Sequence, residues 1–129
     1  MFEAKILKFN SEKEAKEEIR KIDVSEEAVQ IMAPKGVFRV IKLHNVRNAV
    51  GNILKQEMLS LGGECVVSQY TVNCSKPRTD ALLFGTVKHY IALIQKMKMQ
   101  GWVLEKEKEL EYKALAAELE EALKESLKV

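Results

Sequence analysis

Apolar and polar positions follow two repeats along this chain, one of about two residues and one of about three and a half. Ala4 to Phe9, AKILKF, alternates and predicts a short strand. A helix is predicted over 11–22, with Ser11 as its cap and Glu14 completing a capping box. Ala15, Ile19 and Ile22 fall on one face of it. Asp23 to Glu27 is a polar break, and Ala28 to Met32 reads as a strand. Pro34, Lys35 and Gly36 carry turn chemistry, so 28–32 and 37–43 are expected to form a hairpin.

The next helix is predicted to start at Asn45 as cap and to present Val46, Val50, Ile53, Leu54, Met58 and Leu61. Gly62-Gly63 ends it, because glycine takes the left-handed conformation at little cost. Cys65 to Val67 is a short strand, Ser68 to Thr79 a loop containing Pro77, and Ala81 to Phe84 a buried strand. Thr86 caps a helix marked by Val87, Tyr90, Ile91, Ile94 and Met97, which Gly101 stops. Residues 102–104 connect to a charged helix of about 105–127, in which Tyr112, Leu115, Leu119 and Leu123 make an apolar stripe.

This order predicts an α+β or mixed α/β fold. It has a single open sheet of about five strands, in ferredoxin-like order βαββαβ plus an extra strand and C-terminal helices. The expected organisation is a single domain over 1–129. Apolar residues at 47% and charged residues at 31% suit a folded, soluble chain. The net charge of +2, from 21 basic and 19 acidic side chains, makes nucleic-acid binding by bulk charge unlikely. No apolar run approaches the ~20 residues that span a bilayer, and the charged N-terminus is unlike a signal peptide. The chain reads as cytoplasmic, with Cys65 and Cys74 expected as free thiols. The abundance of Glu and Lys is of a thermophile type.

Three blocks carry a resemblance: IMAPKGVFRVIKLHNV, NILKQEMLSLGGECVVS and TDALLFGTVKHYIALIQKMKMQ. They resemble, over about residues 22–100, the N-terminal extension that precedes the pterin-binding barrel of some bacterial and archaeal dihydropteroate synthases. Stand-alone proteins related to dihydropteroate synthase are similar in the same segment. A (β/α)₈ barrel takes ~200–250 residues, so the resemblance concerns the appended domain and offers no catalytic positions. It implies an accessory domain in a folate or methanopterin context, without a cofactor of its own.

Cys65, Cys74, His44 and His89 lack the short ligand spacings of zinc sites, so no metal is expected. The sharpest candidate is a small anionic ligand: a pterin, a phosphate or a carboxylate. Lys76, Arg78 and Thr79 enter the last buried strand, and Gly85-Thr86 leaves it to open a helix whose N–H groups favour anions. Lys35, Asn52 and Lys55 complete the ligand-binding set. Ser68 would join Gly85 and Thr86 if their strands ran parallel. Asn48, Asn52 and Lys55 share a helix face that lines a cleft, bonds a loop or meets another chain. The alternatives are a small enzyme of pterin or thiol metabolism using Cys74 or Lys76/Arg78, and a structural module that oligomerises through its last helix or a sheet edge. No catalytic residue is assigned, and a homo-oligomer, as a homodimer, is expected.

Overall fold

A computed structural model describes residues 2–100 and 106–127. The predicted stop at Gly101 and the connection at 102–104 lie outside the described residues. The elements run α1 (Glu12–Arg20), α2 (Glu26–Met32), a 3₁₀ turn (Ala33–Lys35), β1 (Phe38–Arg47), α3 (Asn48–Leu61), β2 (Glu64–Val67), β3 (Arg78–Thr86), α4 (Val87–Gln100) and α5 (Lys106–Leu127). The fold is α+β, with a three-stranded antiparallel sheet in the order β1-β3-β2 in place of the five strands expected.

Two predicted strands are absent for identifiable reasons. Residues 4–9 lie outside any helix or strand: their alternation is strand-like, but β1 and β2 bond to β3 and not to them. Residues 28–32 belong to α2. Ser25 caps that helix by accepting the Ala28 N–H at 3.2 Å, Glu26 and Glu27 occupy its positive first turn, and Val29 is the residue it buries. A five-residue apolar run does not itself discriminate helix from strand. The expected hairpin is therefore a helix, a 3₁₀ turn and a strand.

Local signals elsewhere hold. Ser11 accepts the Glu14 N–H at 3.2 Å, and Glu14 returns a bond to the Asn10 N–H at 2.8 Å. The reciprocal pair thus reaches one residue further back than a standard capping box. Ala15 is buried, whereas Ile22 falls beyond the helix end and is exposed. Gly62 ends α3 at φ +99°, where a side chain would be strained.

The predicted order βαββαβ is not found, because 4–9 and 28–32 are not strands, and a split βαβ arises instead further along the chain. β1, α3 and β2 form the motif, with β3 inserted antiparallel between the two strands. α4 then crosses back, and among the described residues no further strand lies beside β1 to complete a ferredoxin-like sheet. α5 runs alongside β1 instead, in the opposite sense. Arg47 makes a two-pronged bond to Glu111 (2.6 and 3.1 Å), and Arg39 bonds Ser126 Oγ at 3.2 Å.

Alternation along β3 decides where the core sits. Thr79, Ala81, Leu83 and Gly85 point to one face and are buried there with Leu43, Cys65 and the inner faces of α3 and α4. Tyr90 of α4 is fully buried, with its hydroxyl 2.7 Å from the Arg39 carbonyl and 2.9 Å from that of Leu83. One proton shared between those oxygens ties α4 to both strands. Burial pushes its pKa up. The stripe of Tyr112, Leu115, Ala116, Leu119 and Leu123 joins the same core, so α5 packs on its own chain.

Two measurements check this arrangement. Leu83→Ala should cost about 2–5 kcal/mol in denaturant unfolding, because the lost side chain leaves a cavity under two helices. Arg47 holds the Glu111 carboxyl below its ordinary pKa, chiefly by hydrogen bonding. Its contribution is present above the unfolded value of about 4.3 and is lost as pH falls through the lower folded value. Glu111→Gln should therefore flatten stability against pH on the acid side and lower it at neutral pH.

Candidate functional site

The antiparallel register of β2 on β3 separates the predicted site into two ends. Val67 pairs with Ala81 and Glu64 with Phe84, so Ser68 lies beside Thr79, and Gly85 and Thr86 lie at the other end of the sheet. Six residues of extended chain put ~20 Å between Thr79 and Gly85.

At the Thr79 end, polar side chains fasten the 68–77 loop to the start of α3. Asn48 N–H donates to the Pro77 carbonyl at 3.1 Å, and its side-chain amide donates to the Lys76 carbonyl. Asn52 donates to the Thr71 carbonyl at 3.3 Å, and Thr79 Oγ1 accepts the Ser68 N–H at 2.9 Å. Gly51 admits this loop, since a Cβ there would stand 3.0 Å from the Thr79 methyl. Of the three roles considered for the asparagine face, loop bonding is the one observed.

The basic residues of this end are engaged as well. Lys76 lies over the Tyr70 ring at 4.8 Å, and Arg78 donates to the Asn45 carbonyl at 2.8 Å. Asn45 does not cap α3: it stands at φ +58° in an irregularity of β1 and donates its N–H to Asp80 at 3.0 Å. That bond holds the Asp80 carboxyl below the usual range. The helix begins three residues later because Val46 and Arg47 still pair with Thr79 and Arg78. Lys55 donates to the Cys65 carbonyl at 2.8 Å and pairs with Glu64 at 3.3 Å. Glu64 in turn accepts the Cys65 N–H at 2.8 Å. Both outward backbone groups of Cys65 are thereby covered, which blunts the β2 edge against another strand.

Neither thiol has the surroundings of a nucleophile. Cys65 is buried, which pushes its pKa up to about 11. Cys74 is exposed and donates to the Thr71 carbonyl at 3.7 Å. His44 stands 3.8 Å from Asp80, and His89 is bonded to Thr86. Among the described residues, no three His, Cys, Asp or Glu side chains group as metal ligands.

The Gly85 end is different. Thr86 N–H donates to His89 Nδ1 at 3.0 Å, and His89 N–H donates to Thr86 Oγ1 at 3.4 Å. This is a capping box with histidine in the position glutamate usually holds. Val87 N–H is taken by the Val37 carbonyl at 2.9 Å. These three donors at the start of α4 are occupied, so the backbone nest expected of Gly85-Thr86 is not available there. Gly85 is needed for space: a Cβ would meet Met58 Cε at 3.0 Å and His89 Nδ1 at 3.2 Å.

Beside this cap lies a cleft of about 450 Å³ where three elements end. Lys35 enters from the 3₁₀ turn, Ser60 from α3, Thr86 from the end of β3, and Lys88 and His89 from α4. No Asp or Glu lines it. Because His89 Nδ1 accepts from Thr86, the neutral ring carries its proton on Nε2, which faces Gly62. Of the eight predicted residues, Lys35 and Thr86 border this cleft and Gly85 supports it. Asn52, Lys55, Lys76, Arg78 and Thr79 do other work. Lys88 and His89 were not predicted: a Thr-x-x-His spacing at a helix start was the available signal.

Comparison with known proteins gives a limited context. The chain is 34% identical over 91 residues to the "Probable bifunctional folylpolyglutamate synthase/dihydropteroate synthase" of Halobacterium salinarum. The match covers 70% of this chain and 11% of that relative, which is a weak relation to one region of a folate-metabolism enzyme. No family model matches the chain. No solved structure matches it.

The role given to Asn48 can be checked by substitution. Asn48→Ala should cost about 1 kcal/mol, the worth of one hydrogen bond. It should also raise amide exchange through 68–77 and speed thiol labelling of Cys74, with the α4 and α5 amides unchanged.

Proposed function

We propose that this chain is a non-catalytic accessory domain of folate metabolism that holds a small carboxylate- or phosphate-bearing ligand in the Lys35–Lys88–His89 cleft. The observation that carries this reading is the composition of the cleft wall. Two ammonium groups and an imidazole N–H converge there with two hydroxyls, and no acidic side chain opposes them. Such a wall favours an anion by charge, while the Thr86 hydroxyl can orient it. Lysines act here as mobile point charges and suit a carboxylate or phosphate equally.

The relative supplies the context for this proposal. Dihydropteroate and folylpolyglutamate, the compounds in its name, both carry carboxylates. A segment making up 11% of a bifunctional enzyme suits an accessory role for the matching region here. The enzyme alternative drew on Cys74, Lys76 and Arg78, and those residues serve loop and turn bonds.

Thermal shift with dihydropteroate, p-aminobenzoate, folate with one or several glutamates, and inorganic phosphate tests the reading. A ligand at 100 times its Kd should stabilise the native state by about 2.7 kcal/mol. For a domain of this size that is a rise of several degrees. The rise should vanish in Lys35→Ala/Lys88→Ala while the unliganded melting temperature is kept. No shift with any of these compounds, or a shift that survives the double substitution, overturns the proposal.

A further inference from the structure

The uncovered sheet face holds an apolar centre. Cross-strand pairing sets Val40, Phe84 and Glu64 in one row, Lys42, Leu82 and Val66 in the next, and Phe38 beside Thr86 at the end. Phe38 is 55% exposed, Val40 54% and Val66 44%, and Leu82 and Phe84 are half-buried. Apolar neighbours this exposed on one sheet face mark a contact surface.

The chain carries a second unpartnered apolar element. The N-terminal arm, residues 2–9, is held at its base, where the Arg39 guanidinium bonds the Phe9 carbonyl at 3.4 Å and that of Asn10. Beyond that point Phe2 is 94% and Ile6 91% exposed. We propose that the occupant of the open face is a second copy of this chain, packed sheet to sheet about a two-fold axis, with each arm laid across the partner.

Three observations favour a second copy. First, each chain carries both apolar surfaces, so one isologous contact covers all of them and closes. Second, the areas fit. Six residues each of β1 and β3 and four of β2, with strands ~4.8 Å apart, give about 250 Å² per copy. Paired alone, two such faces bury about 500 Å², well short of the ~1,000 Å² expected of a stable interface. Two extended seven-residue arms add about 450 Å² and bring the contact close to that mark. Third, growth by strand pairing at β2 is opposed, because Lys55 and the Glu64 carboxylate cover its edge, which leaves the sheet face as the surface for a second copy.

Sedimentation equilibrium of the full chain, the Val40→Lys/Val66→Lys double variant and a chain lacking residues 2–8 tests this. The full chain should dimerise at concentrations on the order of 10 μM. The double variant should be monomeric with its circular-dichroism spectrum retained, and loss of the arm should weaken dimerisation at least ~10-fold. Phe9 and Asn10 are kept in the truncation, so the Arg39 bonds survive. A full chain that is monomeric at several hundred μM, or a double variant that dimerises as well as the parent, overturns the proposal. So does a monomeric full chain that uses this face to bind a purified dihydropteroate synthase domain.

Discussion

Everything in this structure depends on a sheet of three strands having helices on one face only. β3 is the middle strand, and its alternation assigns Ala81, Leu83 and Gly85 to α3 and α4. Leu82 and Phe84 take the other side with no helix above them. A one-residue slip of β3 would exchange the two sets and expose the residues that α3 and α4 cover. Tyr90, bonded to carbonyls of two strands from beneath, opposes such a slip. The cleft and the open face both follow, one at the end of the covered side and one on the bare side.

The polar residues that stand out in the sequence divide by purpose once their partners are seen. Asn48, Asn52 and Thr79 hold a loop, Arg78 holds a bend in β1, and Lys55 with Glu64 covers a strand edge. Asparagines inside a helix are unfavourable by propensity, and here they satisfy the carbonyls of a ten-residue connection that passes over the helix start. Lys35 lies far in sequence from the adjacent pair Lys88 and His89, and the capping box at Thr86 fixes the histidine on the cleft they share.

The half-ferredoxin arrangement explains the shape of the whole. A split βαβ followed by a returning helix ordinarily receives a fourth strand beside β1. Among the described residues no such strand follows; α5 packs on α4 and is tied to β1 by Arg39 and Arg47. The matched segment of the Halobacterium relative is 11% of a larger chain.

The sequence by itself determined whatever depends on residues within four positions of one another. Ser11–Glu14, Gly62 and Thr86 act through bonds or dihedrals inside a single turn, and the structure keeps each of them. The α+β class, α3 to its glycine end, and the buried stripe of α5 were legible for the same reason: a period is a local property. Strand pairing is not. Whether AKILKF has a strand beside it and whether β2 and β3 run parallel each depend on partners far along the chain. Only the tertiary structure decided them, and with them the separation of Thr79 from Thr86. Backbone hydrogen bonds of a helix close within the segment, whereas those of a sheet must be found elsewhere.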